Sequence, residues 1–141
     1  MEKIAELHSV NVDTPVYKIN YKGKDIAFYQ SMVGAPACVG YFEEIIAMGA
    51  KKFVLFGSCG VLNDAAVDGR IMIPVSAVRD EGTSYHYAAP SAEIEADSRC
   101  VQVLENILKS RDCPYVKGKT WTTDAFYRET LPIVRERKEA G

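Results

Sequence analysis

A hydroxyl set among backbone amides between two glycines is a composition that can hold an anion, and Gly57-Ser58-Cys59-Gly60 has it. Glycine lets the chain turn sharply and approach a ligand closely, so the amides and the Ser58 hydroxyl can face the same oxyanion. The tetrapeptide also fits an ordinary strand-to-loop turn, because short glycine motifs recur without function. A second stretch, Arg79-Asp80-Glu81-Gly82-Thr83-Ser84-Tyr85-His86-Tyr87, is dense in hydrogen-bonding groups and aromatic rings. Loops of that kind often carry function, but packing of Tyr85, His86 and Tyr87 against a neighbouring element is the simpler account and is preferred to catalysis. The third is Thr122-Thr123-Asp124-Ala125-Phe126-Tyr127-Arg128-Glu129-Thr130, where aromatic and polar groups again meet.

Elements of regular structure must position these groups. Phe53-Val54-Leu55-Phe56, directly before the glycine tetrapeptide, reads as a short strand buried on both faces. Met1 to Leu7 reads as the end of a short helix. Val16 to Tyr21 alternates as a half-buried strand, Lys22-Gly23-Lys24 turns tightly, and Asp25 to Met32 returns, predicting a β-hairpin over 16–32. Pro36 then opens a helix with Val39, Phe42, Ile45, Ile46 and Met48 on one side, Glu43 and Glu44 facing water, and Gly49 as a left-handed cap. Residues 25–57 are thus expected to form a βαβ unit with parallel strands. Ligands in such sheets sit at the carboxyl ends of the strands, where Gly34-Ala35-Pro36 and Gly57-Ser58-Cys59-Gly60 would lie.

Further on, Asn63-Asp64 and Val67-Asp68-Gly69-Arg70 are turn-rich, and Ile71 to Val78 reads as a strand interrupted by Pro74, which predicts an edge or a bulge. Asp97 is placed to cap a helix with Val101, Leu104, Ile107 and Leu108 at helical spacing, ended by Pro114. Tyr115 to Trp121 reads as another strand, and Thr130 and Pro132 open a last, highly charged helix.

Composition narrows the functional classes. The chain has 141 residues, 48% hydrophobic and 26% charged, the size of one globular domain with a real core. Seventeen basic and nineteen acidic residues without a basic stripe argue against nucleic acid or an anionic membrane as partner and favour a small molecule. Cys38, Cys59, Cys100 and Cys113 have neither a CxxC pattern nor metal-ligand spacing, so no metal site is expected. No signal peptide or membrane span is evident, which points to a cytoplasmic chain with reduced thiols, Cys38 and Cys100 being read as small core residues.

Four features taken together resemble the purine nucleoside and uridine phosphorylase superfamily: Gly57-Ser58-Cys59-Gly60 after an apolar strand, Gly34-Ala35-Pro36 before a Glu-Glu helix, the Asp80-to-Tyr87 loop, and Thr122-Thr123-Asp124-Ala125-Phe126-Tyr127. The resemblance runs from Val16 onward in the family's order and spacing. It implies an α/β fold, a three-layer α/β/α sandwich around a mixed sheet, assembled as an oligomer, and cleavage of an N-glycosidic bond by phosphorolysis. No cofactor is implied beyond phosphate as co-substrate. By the same resemblance Gly57 and Ser58 bind phosphate, Cys59 and Gly60 lie beside the base, Phe126 stacks on the base, and Val33 lies near the sugar. Stacking and a held oxyanion are contributions of placement and preorganised charge.

Departures from the pattern shape the remaining expectations. Leu55 stands where family phosphorylases carry a phosphate-binding arginine, and no arginine precedes Arg70. The glycine-rich phosphate loop at the N-terminal side, the Glu-Met-Glu segment that grips ribose and the acid that protonates the base have no counterpart here, so catalytic residues are unassigned. The chain is therefore expected to be a single partial domain over 1–141, the first half of the fold trimmed at both ends, inactive alone and self-associating, with weak phosphate binding. The missing arginines also suit a nucleoside hydrolase of the same superfamily. A non-catalytic nucleobase-binding or oligomerising remnant stays open beside these.

Overall fold

The computed structural model describes residues 1–64 and 69–141, and of the expected turn over Val67-Asp68-Gly69-Arg70 the first two residues lie outside the described residues. The chain divides into two compact units, Met1–Leu55 and Phe56–Gly141.

The first unit is an antiparallel sheet in the order β1 (Glu2–His8), β2 (Asp13–Tyr21), β3 (Lys24–Phe28), followed by helix α1 (Ala35–Ala47). The hairpin of β2 and β3 forms as expected, but its second strand ends at Phe28 and does not reach Met32. Lys22 and Gly23 both have positive φ, 51° and 75°, the two-residue turn whose twist suits a hairpin, and Asn20 Oδ1 accepts the Gly23 N–H at 3.2 Å. The expected helix over Met1–Leu7 is instead strand β1. In the strand, Ala5 and Leu7 sit opposite Val16 and Thr14, and a bulge at Ile4 takes up one residue. Leu7 and Val16 then pack with Tyr41 and Ile45 of α1 into a core, so cross-strand burial overrides the helix propensity of Glu-Lys-Ile-Ala-Glu-Leu. Within this core the Thr14 and Tyr41 hydroxyls lie 3.2 Å apart, and Tyr29 meets the Tyr41 ring edge-on.

Helix α1 begins beyond Gly34, with Pro36 in its first turn where a missing N–H costs nothing. It ends as the sequence predicts. Gly49 has φ of 103°, its N–H donates to Ile46 O at 2.9 Å, and the Ala50 N–H reaches Ile45 O at 3.2 Å, the paired bonds of a glycine-terminated helix. Only Tyr41 and Ile45 of this helix are buried; Ile46 and Met48, expected on the core side, are exposed.

Phe53-Val54-Leu55-Phe56 forms no strand, which corrects the expectation of a buried central strand and of a parallel βαβ unit over 25–57. Val54, Leu55 and Phe56 are 83%, 69% and 94% exposed. β-propensity describes how a side chain fits a pleated, half-buried surface, and a strand also needs neighbours for its N–H and C=O groups. Among the described residues no strand pairs with this run.

The second unit is built on a mixed sheet in the order β5 (Glu93–Glu95), β4 (Ile71–Asp80), β6 (Tyr115–Thr123). β4 runs antiparallel to β5 and parallel to β6, and helix α2 (Ser98–Ser110) makes the crossover that parallel neighbours require. The register shifts between Pro74 and Ser76, the bulge expected from a proline inside a strand. Asp97 caps α2 by accepting the Cys100 N–H at 2.8 Å, a bond that holds the Asp97 carboxyl below its usual range. Glu105 ties α2 to β6: it accepts the Tyr115 hydroxyl at 2.9 Å and pairs with Lys117 at 3.3 Å. Cys100 is exposed, contrary to its reading as a core residue, and Cys38 is half-buried. The last helix, α3 (Leu131–Glu139), has Pro132 in its first turn as expected; Thr130 occupies the N-cap position, but its side chain makes no capping hydrogen bond.

Candidate functional site

Parallel strands deliver their loops to one edge, and among the described residues the pair that does so is β4 and β6. β4 ends at Asp80 and runs into a short 3-10 turn, Thr83–His86; β6 ends at Thr123 and runs into another, Phe126–Arg128. Two of the three chemically dense stretches of the sequence therefore meet at one sheet edge. The Asp124 N–H donates to Asp80 O at 3.2 Å, and the Gly82 N–H donates to Asp124 Oδ2 at 2.9 Å. Trp121 Nε1 donates to Asp80 Oδ2 at 2.9 Å.

Arg79 organises the loop that leaves β4. Its side chain is only 6% exposed, yet its guanidinium is well satisfied. Nε donates to Ser84 Oγ at 2.8 Å, Nη1 to Ala89 O at 2.6 Å and to Ser91 Oγ at 2.9 Å, and Nη2 to Ala88 O at 3.2 Å. The Tyr85 ring lies under the guanidinium at 4.1 Å, and the Tyr85 hydroxyl donates to the Arg79 carbonyl at 3.3 Å. Packing thus accounts for Tyr85. Burial pushes the neighbouring Glu81 carboxyl up, but hydrogen bonds from Ser84 and Thr83 and the Arg79 charge outweigh it and leave the group below its usual range. The sequence marks Arg79 as part of a hydrogen-bonding loop but not as its hub; the available signal is a lone arginine closing an apolar strand, with Ser84 and Ser91 following.

Phe126 stands out from this edge. The residue is 61% exposed and Tyr127 91%, and their ring centroids are 4.5 Å apart. The chain after it is pinned by Arg128 N–H to Ala125 O at 2.7 Å and Thr130 N–H to Arg128 O at 2.7 Å. An exposed aromatic ring on a fixed backbone is a surface on which a planar ligand can stack.

The other expected site residues are placed differently. Gly57, Ser58, Cys59 and Gly60 are exposed and irregular, since the strand expected to carry them to the sheet edge is not formed. Val33 belongs to the first unit and is 94% exposed. A cavity of about 400 Å³ in the second unit is lined by Leu62, Asn63, Asp64 and Lys138, not by Ser58 or Phe126. Among the described residues, Glu6, His8 and Asp13 of the first unit offer ligand atoms within 4.8 Å of one another. Their charges are already matched: Lys3 donates to Glu6, and His8 Nδ1 lies 2.8 Å from Asp13 Oδ1, a hydrogen bond that raises the imidazole above its ordinary value of 6.5. No helix among the described residues is long and apolar enough to cross a membrane.

Comparison with known proteins places this geometry in a family. The chain is 34% identical over 107 residues to a uridine phosphorylase of Thermococcus kodakarensis, covering 76% of this chain and 39% of that protein. It is 25% identical over 137 residues to a guanosine phosphorylase of Halorubrum lacusprofundi, covering 97% of this chain and 57% of that protein. The crystal structure of a uridine phosphorylase from Vibrio fischeri superposes with a TM-score of 0.85 at 27% identity, over 99% of this chain and 57% of that one. The chain spans about half the length of the relatives it matches, and its α/β fold with a mixed sheet is correspondingly an incomplete phosphorylase fold. With the family model described as the Phosphorylase superfamily matching residues 2–140, the chain belongs to that superfamily.

Proposed function

We propose that these residues belong to a protein that cleaves the N-glycosidic bond of a purine or pyrimidine nucleoside by phosphorolysis, and that they supply its base-stacking ring and part of its anion loop. Family membership over residues 2–140, joined to the exposed Phe126 ring at the carboxyl edge of β4 and β6, is the observation that carries the reading. In it Phe126 stacks on the base, Cys59 and Gly60 lie beside the base, and Gly57 and Ser58 hold phosphate. The named relatives act on uridine and on guanosine, so both base classes remain within the proposal. Self-association belongs to the same reading, supported by the exposed apolar side chains of Val54, Leu55 and Phe56.

Stacking is the part that can be tested on this chain. Phe126→Ala is expected to weaken adenine or uracil binding several-fold, because an aromatic pair contributes about 0.5–1.5 kcal/mol beyond its buried area. Equal affinity of the variant in calorimetry would remove Phe126 from the base site.

A second reading, hydrolysis with water in place of phosphate, is favoured by the cations at hand. By the resemblance Leu55 stands where the family has a phosphate-binding arginine, and the buried Arg79 has four of its five N–H donors committed to Ser84, Ala88, Ala89 and Ser91. A hydroxyl and neutral amides lack the bidentate charge of an arginine–oxyanion contact. Phosphate is therefore expected to bind this chain with a Kd of about 1 mM or weaker. A micromolar site would count against hydrolysis, as would base release by the full-length protein that depends on phosphate.

A further inference from the structure

We propose that Asp124 is a positioning residue for Phe126, fixing the turn from which that ring is offered to the base. The inference rests on the base-stacking reading above and adds to it the device that makes the ring usable. Asp124 lies two residues before Phe126 and is the point where the ends of β4 and β6 are joined. It makes that junction twice: its N–H donates to Asp80 O at 3.2 Å, and its carboxylate accepts the Gly82 N–H at 2.9 Å. The Ala125 N–H donates back to Thr123 Oγ1 at 3.2 Å, and the 3-10 turn closes the other side through the Arg128 N–H on Ala125 O at 2.7 Å. The chain is thus held by hydrogen bonds on both sides of Phe126, a residue that is itself 61% exposed.

Phe126 makes its ring contact with Tyr127, 4.5 Å away and itself 91% exposed, which offers little to fix the direction of Phe126, and that direction has to come mainly from the chain. A platform ordered in advance spares the ligand the cost of ordering it, and that saving appears as affinity. Asp80 takes part in the same arrangement, its carboxylate accepting Trp121 Nε1 at 2.9 Å. The Asp80 carboxylate thus ties the ends of the two strands, and that of Asp124 ties the loops that follow them. Gly82 fits the contact without being demanded by it, since a Cβ there would lie 3.8 Å from Asp124 Oδ2, an ordinary separation.

The test uses the whole chain with adenine and uracil as probes, comparing Asp124→Ala, Asp124→Asn, Phe126→Ala and the Asp124→Ala/Phe126→Ala double variant by calorimetry. Asp124→Ala is expected to weaken base binding about five-fold, the effect of releasing one ordered side chain. Asp124→Asn, which keeps a carbonyl acceptor for the Gly82 N–H, should stay within about two-fold of the parent. In the Phe126→Ala background Asp124→Ala should cost nothing further, because a residue acting through the ring has no effect once the ring is gone. A merely structural role would lower the unfolding temperature and leave this non-additivity absent. Parent-like affinity of Asp124→Ala, or an equal loss in both backgrounds, overturns the positioning role while base stacking stands. Parent-like affinity of Phe126→Ala, or no base binding by the parent chain, overturns the base-stacking reading itself and this inference with it.

Discussion

Arg79→Met is expected to destabilise the protein by about 3 kcal/mol and to lower its thermal midpoint by roughly 10 °C. Methionine fills much of the same volume but donates nothing. Four acceptors lose a charged donor at once: Ser84 Oγ, Ser91 Oγ and the carbonyls of Ala88 and Ala89. A hydrogen bond to a charged group is worth about 1.5–3 kcal/mol, and any acceptor left dry adds its desolvation cost, so even partial rescue by water leaves a large deficit. Arg79→Lys should recover little, because an ammonium cannot spread donors across both sides of a planar fork or stack on Tyr85 in the same way. Thermal melts followed by circular dichroism, with limited proteolysis across 83–92, would decide the matter. A midpoint within about one degree of the parent would mean that the guanidinium's burial and bonds contribute no net stability, as holds for some buried charges.

Leu7→Ala should cost a comparable amount, about 3 kcal/mol, through the transfer of a fully buried side chain and the cavity left beside Val16, Tyr41 and Ile45. The paired control is Ile4→Ala. On a helix Ile4 and Leu7 would share a face and both substitutions would be costly. On β1 the bulge between Lys3 and Ala5 leaves Ile4 46% exposed while Leu7 is at 0%, so Ile4→Ala should cost under about 1 kcal/mol. Denaturant unfolding of the two variants separates the alternatives directly. Equal and large losses would restore the helix and contradict strand β1.

Local chemistry carried far in this chain. The Lys22-Gly23 turn, the glycine end of α1, the Asp97 cap, the bulge at Pro74 and the prolines opening α1 and α3 were legible because each depends on one or two residues and their own backbone. The family was legible for a related reason, since four short motifs in order and spacing are a property of the chain itself, and the match over residues 2–140 agrees with it. The site was only partly legible. The stretches around Asp80 and Asp124 were singled out by composition, but their meeting at one edge follows from the parallel pairing of β4 with β6, through bonds between residues about forty positions apart.

The sequence by itself determined the turns, caps and breaks and the family to which the chain belongs, because these are fixed by side chains acting on nearby backbone or by motif order. Only the tertiary structure decided which apolar runs became strands. Met1–Leu7 had a helical composition and paired with β2 because burial of Leu7 against α1 was available. Phe53–Phe56 had a strand's composition and stayed irregular and exposed, with no paired neighbour among the described residues. The same distinction governs Arg79: nothing local to its position marks it as buried, and the carbonyls and hydroxyls that satisfy it come together only when residues 84–91 fold back over the end of β4. Propensity sets what a segment can do, and the partners that complete its hydrogen bonds and cover its apolar face set what it does.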